Sequence, residues 1–184
     1  GGRFYAWSAY AFADDSLQST MNGYFDVGSR FEWLDRTIRP QQLERKTLQE
    51  KAYYTEQVLL KRLSDVKENT VVNGTIHNIL TNKGSMDVSK LAKEAFVSTR
   101  QLERLFHEYV GITPKKLSNL IRYQFLWRDI LWEPDFDVLS AVHKYGYTDQ
   151  SHLLREFKRY HSMDIHEART IALKDDENIQ AVSY

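Results

Sequence analysis

The rhythm of apolar and polar positions changes several times along the chain. From Phe4 to Phe12, aromatic residues alternate with small ones, a period of two that predicts a strand-like segment. A lone strand leaves its backbone groups unpaired, so this one is expected either to pair with something upstream or to pack as an irregular arm. Phe25 to Ile38 predicts a helix, with Phe31, Leu34 and Ile38 three and four apart. Arg39-Pro40 should end it, because proline disfavours helix in the residue before it. Pro40 suits the first turn of the next helix, Gln41 to Leu63, the longest uninterrupted helical run in the chain. The short polar stretch Asp65 to Thr70 then reads as a domain boundary.

Beyond it the predicted elements become shorter and better punctuated. Val71 to Asn82 carries Val72, Ile76, Ile79 and Leu80 on one helical face and stops at Lys83-Gly84. Val88 to Ala95 is a short helix with Asp87 as candidate cap, and Ser98 caps another whose stripe is Leu102, Leu105, Phe106 and Tyr109. Gly111 stops that helix, and Thr113-Pro114 opens a long one to about Leu131. The order then recurs: a short helix from Asp137 to Lys144, a turn at Gly146-Tyr147, and a striped helix from Gln150 to Tyr160. A last helix covers about Ile165 to Leu173, and the tail from Lys174 is expected to fray.

The recurrence is visible in the letters. Leu102-Glu103-Arg104-Leu105-Phe106 in the first block matches Leu153-Leu154-Arg155-Glu156-Phe157 in the second, with Tyr109 and Tyr160 three residues on. Repetition at a period of about fifty residues marks a duplicated supersecondary unit. A short bracing helix, a tight turn and a longer striped helix make a helix-turn-helix, in which small residues such as Ala92 and Ala95 allow close approach. The stripe faces inward, so the residues between it face out. In the first unit these are Arg100, Gln101, Glu103 and Arg104, and in the second Gln150, Ser151, His152 and Arg155. Arginine can read guanine bidentately and glutamine can pair with adenine in a major groove wide enough for one helix.

Composition adds limits. The 184 residues carry 25 basic and 25 acidic side chains, a formal charge of zero, which argues against nonspecific packaging of nucleic acid but leaves room for a basic face. Such a face is suggested by Arg100, Arg104, Lys115, Lys116, Arg122 and Arg128, against which stand only Glu103 and Glu108. Cysteine is absent, which removes disulfides, thiolate metal sites and cysteine nucleophiles. No apolar run suggests a membrane span or an export leader, so a cytoplasmic protein is expected. His143, His152, His161 and His166 lack a carboxylate or cysteine cluster at ligand spacing, so no metal and no cofactor are expected. No catalytic constellation stands out either, and the chain is not read as an enzyme. The four tryptophans, Trp7, Trp33, Trp127 and Trp132, read as core or interface residues, the last two bracing the long helix.

With these residues in view, the segment from Val71 to Arg169 resembles the AraC/XylS family of bacterial regulators. The resemblance rests on Leu91-Ala92, Ser98, Leu102, Arg104, Phe106, Gly111-Ile112-Thr113-Pro114 and Arg122. In the second half it rests on Gly146-Tyr147, Asp149-Gln150-Ser151, Leu153, Arg155, Phe157-Lys158-Arg159 and Arg169. It implies a mostly α fold in which two helix-turn-helix units are joined by a linker helix, Pro114 to Leu131, and enter successive major grooves. It also implies a sequence-specific transcription regulator, an activator by analogy, with double-stranded DNA and RNA polymerase as partners and no membrane. Base contacts are expected from Arg100, Gln101, Arg104, Gln150, Ser151, His152 and Arg155. Phosphate contacts are expected from Ser98, Lys115, Lys116, Lys158 and Arg159.

Residues 1–65 resemble more loosely the end of a sensor domain fused to such regulators, with two helices and one strand-like segment; 66–174 is the DNA-binding domain and 175–184 a tail. The opening Gly1-Gly2-Arg3, without methionine, fits a processed or engineered fragment or a tag remnant, so most of any small-molecule effector pocket is expected to lie elsewhere. Three departures from the family pattern bear on geometry: Ser162 and Ile165 stand where glycine and proline are usual, Ala168 replaces an aromatic, and Phe96 sits at a turn position where glycine is common. Arg104 also has a competing partner in Glu108. The zero net charge motivates a rival reading, a helix-turn-helix adaptor that binds protein instead of DNA, and a third reading is a sensor acting through the N-terminal part alone.

Overall fold

The computed structural model describes residues 9–13, 31–44, 47–65 and 69–181. It is mostly α, and no strand occurs among the described residues. The α-helices are α1 (Glu32–Glu44), α2 (Leu48–Asp65), α3 (Thr70–Thr81), α4 (Val88–Glu94), α5 (Thr99–Tyr109), α6 (Pro114–Trp132), α7 (Val138–Tyr145), α8 (Gln150–His161) and α9 (Ile165–Ala181). None is long and apolar enough to cross a membrane among the described residues. The chain forms two compact units, 1–78 with 88–114 and 79–87 with 115–184.

In the first unit, several sequence expectations need correction. Residues 4–8 of the strand-like segment lie outside the described residues. Ala9–Ala11 form a short 3-10 turn in which Phe12 and Ala13 N–H both donate to Ala9 O, so the alternation there does not make a strand. Helix α1 does not end at Arg39; it runs through Pro40 to Glu44. Proline in a helix interior removes one amide donor and crowds the carbonyls a turn earlier. On that turn the Tyr54 hydroxyl donates to Thr37 O at 3.4 Å. The expected Gln41–Leu63 helix is accordingly two elements. The second starts with a reciprocal capping box at Thr47 and Glu50: Glu50 N–H donates to Thr47 Oγ1 at 3.2 Å and Thr47 N–H to Glu50 Oε2 at 3.0 Å. The Thr-x-x-Glu spacing carried this signal in the sequence. Between α1 and α2 lies an apolar groove of about 1180 Å³ lined by Leu34, Ile38, Ala52, Leu59 and Leu63 among others. None of α2's residues is buried.

The same unit holds the first helix-turn-helix, α4 and α5. Leu91 and Ala92 of α4 and Leu102, Leu105 and Phe106 of α5 are buried, as the stripe predicts. Each side chain of that size contributes about 1.5–3 kcal/mol when removed from water. The turn between them closes with Val97 N–H on Ala92 O at 3.0 Å, and Phe96 takes a left-handed φ of 55° with its side chain 96% exposed.

In the second unit, α6, α7, α8 and the start of α9 surround one core: Leu126, Ile130, Ala141, Val142, Tyr145, Tyr147, Leu153, Phe157 and Ala168. Ala168 is buried there, so the small residue replacing an aromatic belongs to the core. The turn repeats the first one fifty residues on: Tyr147 N–H donates to Val142 O at 3.0 Å, and Gly146 takes φ 66°. After α8, Ser162 adopts the left-handed conformation (φ 61°) that glycine would favour, and Asp164 replaces the missing proline's pre-organisation by accepting from Glu167 N–H at 2.9 Å. Helix α9 then continues to Ala181, past the expected end at Leu173, since no glycine or proline interrupts Lys174 to Ala181. Trp127 packs on Phe157 and His161, but Trp132 is 68% exposed and does not brace the helix as expected; Trp7 lies outside the described residues.

Candidate nucleic-acid interface

Helix α5 begins where Ser98 Oγ accepts from Gln101 N–H at 3.1 Å, leaving the hydroxyl hydrogen free to donate elsewhere. Burying Leu102, Leu105 and Phe106 turns Arg100, Gln101, Glu103 and Arg104 to the surface, and all four are exposed. Arg104 Nη1 lies 3.6 Å from Glu108 Oε2, with both side chains more than half exposed. A surface pair this loose is worth about 0–1 kcal/mol. It does not compete with a bidentate contact.

Helix α8 is capped by Asp149, which accepts from His152 N–H at 2.7 Å. Gln150, Ser151 and Arg155 are exposed with Lys158 and Arg159, while Leu153 and Phe157 are buried. His152 differs from the other predicted readers. Its ring is half-buried, edge-on to Tyr147 at 5.3 Å, with Nε2 4.0 Å from Glu156 Oε2. Lys115 and Lys116 stand exposed in the first turn of α6.

Two features were not legible as functional residues. Arg122, counted in the sequence with the basic face, is 6% exposed. Its Nη2 donates to Glu156 Oε2 at 2.8 Å, its guanidinium covers the Tyr147 ring at 4.2 Å, and the Tyr147 hydroxyl donates to Glu156 Oε1 at 2.9 Å. Arg122 therefore ties α6 to α8 and is not part of the exposed basic face. Burial, followed by the Glu156 charge, pushes the Tyr147 hydroxyl well above its usual range, so it stays a donor. The signal was present: Glu156 interrupts the second stripe at the position where the first has Leu105. The other feature is Gly84, read only as a helix stop. At φ 73° it lies so close to α6 that an added Cβ would meet Ser118 O at 2.1 Å and Arg122 N at 2.7 Å.

A second polar cluster steadies the far end of α6. Asp129 lies with Lys144 Nζ at 2.7 Å and accepts from the Tyr145 hydroxyl. Burial alone would raise the Asp129 carboxyl, but hydrogen bonds from Lys144 and Tyr145 outweigh it and hold it below the usual range. At the end of α8, His161 stacks on Phe157 at 4.5 Å and meets Trp127 at 4.3 Å, and burial lowers its affinity for a proton. No group of three or more histidine, aspartate or glutamate side chains is placed to hold a metal among the described residues.

Comparison with known proteins agrees with the motif reading. Residues 91–171 match a family model described as a helix-turn-helix domain. The matched residues run from α4 into α9 and so take in both helix-turn-helix units. No curated protein matches the chain. A solved structure similar to it is a transcriptional regulator (AraC-type DNA-binding domain-containing proteins) from Chromobacterium violaceum, with 21% sequence identity and a TM-score of 0.47 over 52% of this chain and 86% of that one.

Proposed function

We propose that the protein is a cytoplasmic transcription regulator, an activator, that recognises a DNA sequence with two helices, α5 and α8, entering successive major grooves. The observation that carries it is the repeated division of faces: each recognition helix buries its apolar stripe and exposes arginine, glutamine or serine side chains suited to base edges. Arg100, Gln101, Arg104, Gln150, Ser151, His152 and Arg155 specify the sequence. Ser98, Lys115, Lys116, Lys158 and Arg159 set the register on phosphates. Residues 66–174 are the DNA-binding domain and 1–65 part of a sensor or regulatory domain that answers to a small-molecule effector; RNA polymerase is the partner through which it activates.

The test is selection of bound duplexes from a random library at two salt concentrations. The expected outcome is an enriched motif with two half-sites roughly 10 base pairs apart and an affinity that falls steeply with salt. In that motif Arg104→Ala should cost roughly 1–3 kcal/mol and relax one base position, whereas Lys158→Ala should weaken all sequences alike. Wild-type-like binding by both variants would refute the assignment of sites. Salt-insensitive binding without enrichment would favour a protein-binding adaptor.

A further inference from the structure

The two recognition helices differ at a pair of matched positions. Aligning Leu102 with Leu153 sets Glu103 against Leu154 and Leu105 against Glu156. In α5 the order is exposed acid, buried leucine. In α8 it is reversed: Glu156 is sequestered with Arg122 and Tyr147, and Leu154 is 44% exposed. Leu154 does not point into the core cluster that Leu153 and Phe157 fill.

Its neighbours on the helix surface define what it can meet. Ser151, Leu154, Arg155 and Lys158 are spaced i, i+3, i+4 and i+7, so they share one face. Ser151, Arg155 and Lys158 are all exposed on it. This face is complementary in charge to a phosphate backbone and in hydrogen bonding to base edges, and it has one aliphatic group in its middle. In the major groove an ordinary base pair presents a single apolar group, the C5-methyl of thymine.

Resting on the DNA-binding reading above, we infer that Leu154 is a specificity-determining residue that selects thymine in the half-site read by α8, through contact with its C5-methyl group. Glu103, its counterpart in α5, gives the other half-site no such preference.

The test uses the duplex enriched by wild-type protein. Each thymine is replaced in turn by deoxyuracil, which lacks only the methyl and keeps every hydrogen-bonding group. Affinity of the whole chain is then measured for wild type and Leu154→Ala, with circular dichroism confirming that the variant is folded. The expected result is a loss of about fourfold at one or two thymines of a single half-site, what one buried methyl is worth. In Leu154→Ala that loss should vanish while losses from mutating other positions remain. Uracil tolerated at every position by wild type, an enriched half-site without thymine, or a penalty that persists in Leu154→Ala would overturn the inference alone. Failure to enrich any duplex would overturn the DNA-binding reading together with it.

Discussion

The Arg122–Glu156 pair allows a stability prediction whose sign depends on burial. The two side chains are only 8% and 11% exposed, and they are joined at 2.8 Å. Glu156→Leu places at this position the residue that its counterpart Leu105 already occupies in the first unit, where it is buried. The substitution leaves the Arg122 guanidinium without its counter-charge in a site almost closed to water, and the Tyr147 hydroxyl without its acceptor. Breaking a buried pair from one side costs roughly 3–5 kcal/mol. Arg122→Leu/Glu156→Leu removes the orphan charge, leaving mainly the unpaired tyrosine hydroxyl at about 1–3 kcal/mol. The double variant should therefore be more stable than Glu156→Leu by about 2 kcal/mol, although it carries one more substitution. Urea unfolding followed by tryptophan fluorescence measures this directly, since midpoint and slope together give the free energies. If the double variant is no more stable than the single, or the single costs less than about 1 kcal/mol, the pair is not sequestered and the argument fails.

The remaining predictions concern backbone and pH. Phe96→Gly should stabilise by about 0.5–1 kcal/mol, because Phe96 pays for a left-handed φ of 55° without packing on anything, being 96% exposed; a lowered unfolding midpoint would contradict this. Gly84→Ala should cost about 2–5 kcal/mol, since strain at φ 73° adds to a clash with the backbone of α6, and a change under 1 kcal/mol in urea would show that the close approach is not maintained. His161, held below the ordinary value of 6.5 by burial, refuses a proton that the unfolded chain takes up. Stability should therefore be full above pH 6.5 and fall as the pH drops below it, and His161→Phe should flatten that slope; an unchanged slope in the variant would refute the assignment. Asp129, held below its ordinary 3.8, adds a separate loss only as the pH falls further, below that value.

Local signals proved legible where one residue type satisfies one local need. Ser98 caps α5 as its identity suggests, Pro114 opens α6, and the Leu102–Leu105–Phe106 stripe is buried; Asp137, expected inside the next helix, is its N-cap. The polar residues expected to read bases are exposed by the same periodicity, His152 excepted, because a helix that buries one face must present the other. What escaped depends on competition between signals or on distance along the chain. Pro40 predicts a break, yet the capping box at Thr47 and Glu50 marks where the next helix starts. Aromatic character alone predicts packing for Trp132, and the end of a helix leaves it in solvent. Arg122 and Glu156 are 34 residues apart, and no local period connects them.

The duplicated units repeat one turn pattern and differ in what holds their second helix, α5 or α8. Both turns close with the equivalent hydrogen bond and a left-handed residue at the equivalent position, a strained phenylalanine in one and a glycine in the other. Helix α5 is held by Leu105 at the position where α8 has Glu156. Apolar contacts tolerate sliding because dispersion and burial are nearly independent of direction. Glu156 is held by Arg122 and by Tyr147 through separate carboxylate oxygens, and hydrogen bonds weaken quickly when their angles change. The contacts that hold α8 against α6 and the α7–α8 turn are therefore directional where that of Leu105 is not. A buried charged pair seldom adds net stability over leucine, so its contribution here lies in angle. The inversion that buries Glu156 also leaves Leu154 outside, next to Arg155. Orientation and apolar reading thus come from one exchange of residues within a single turn of α8.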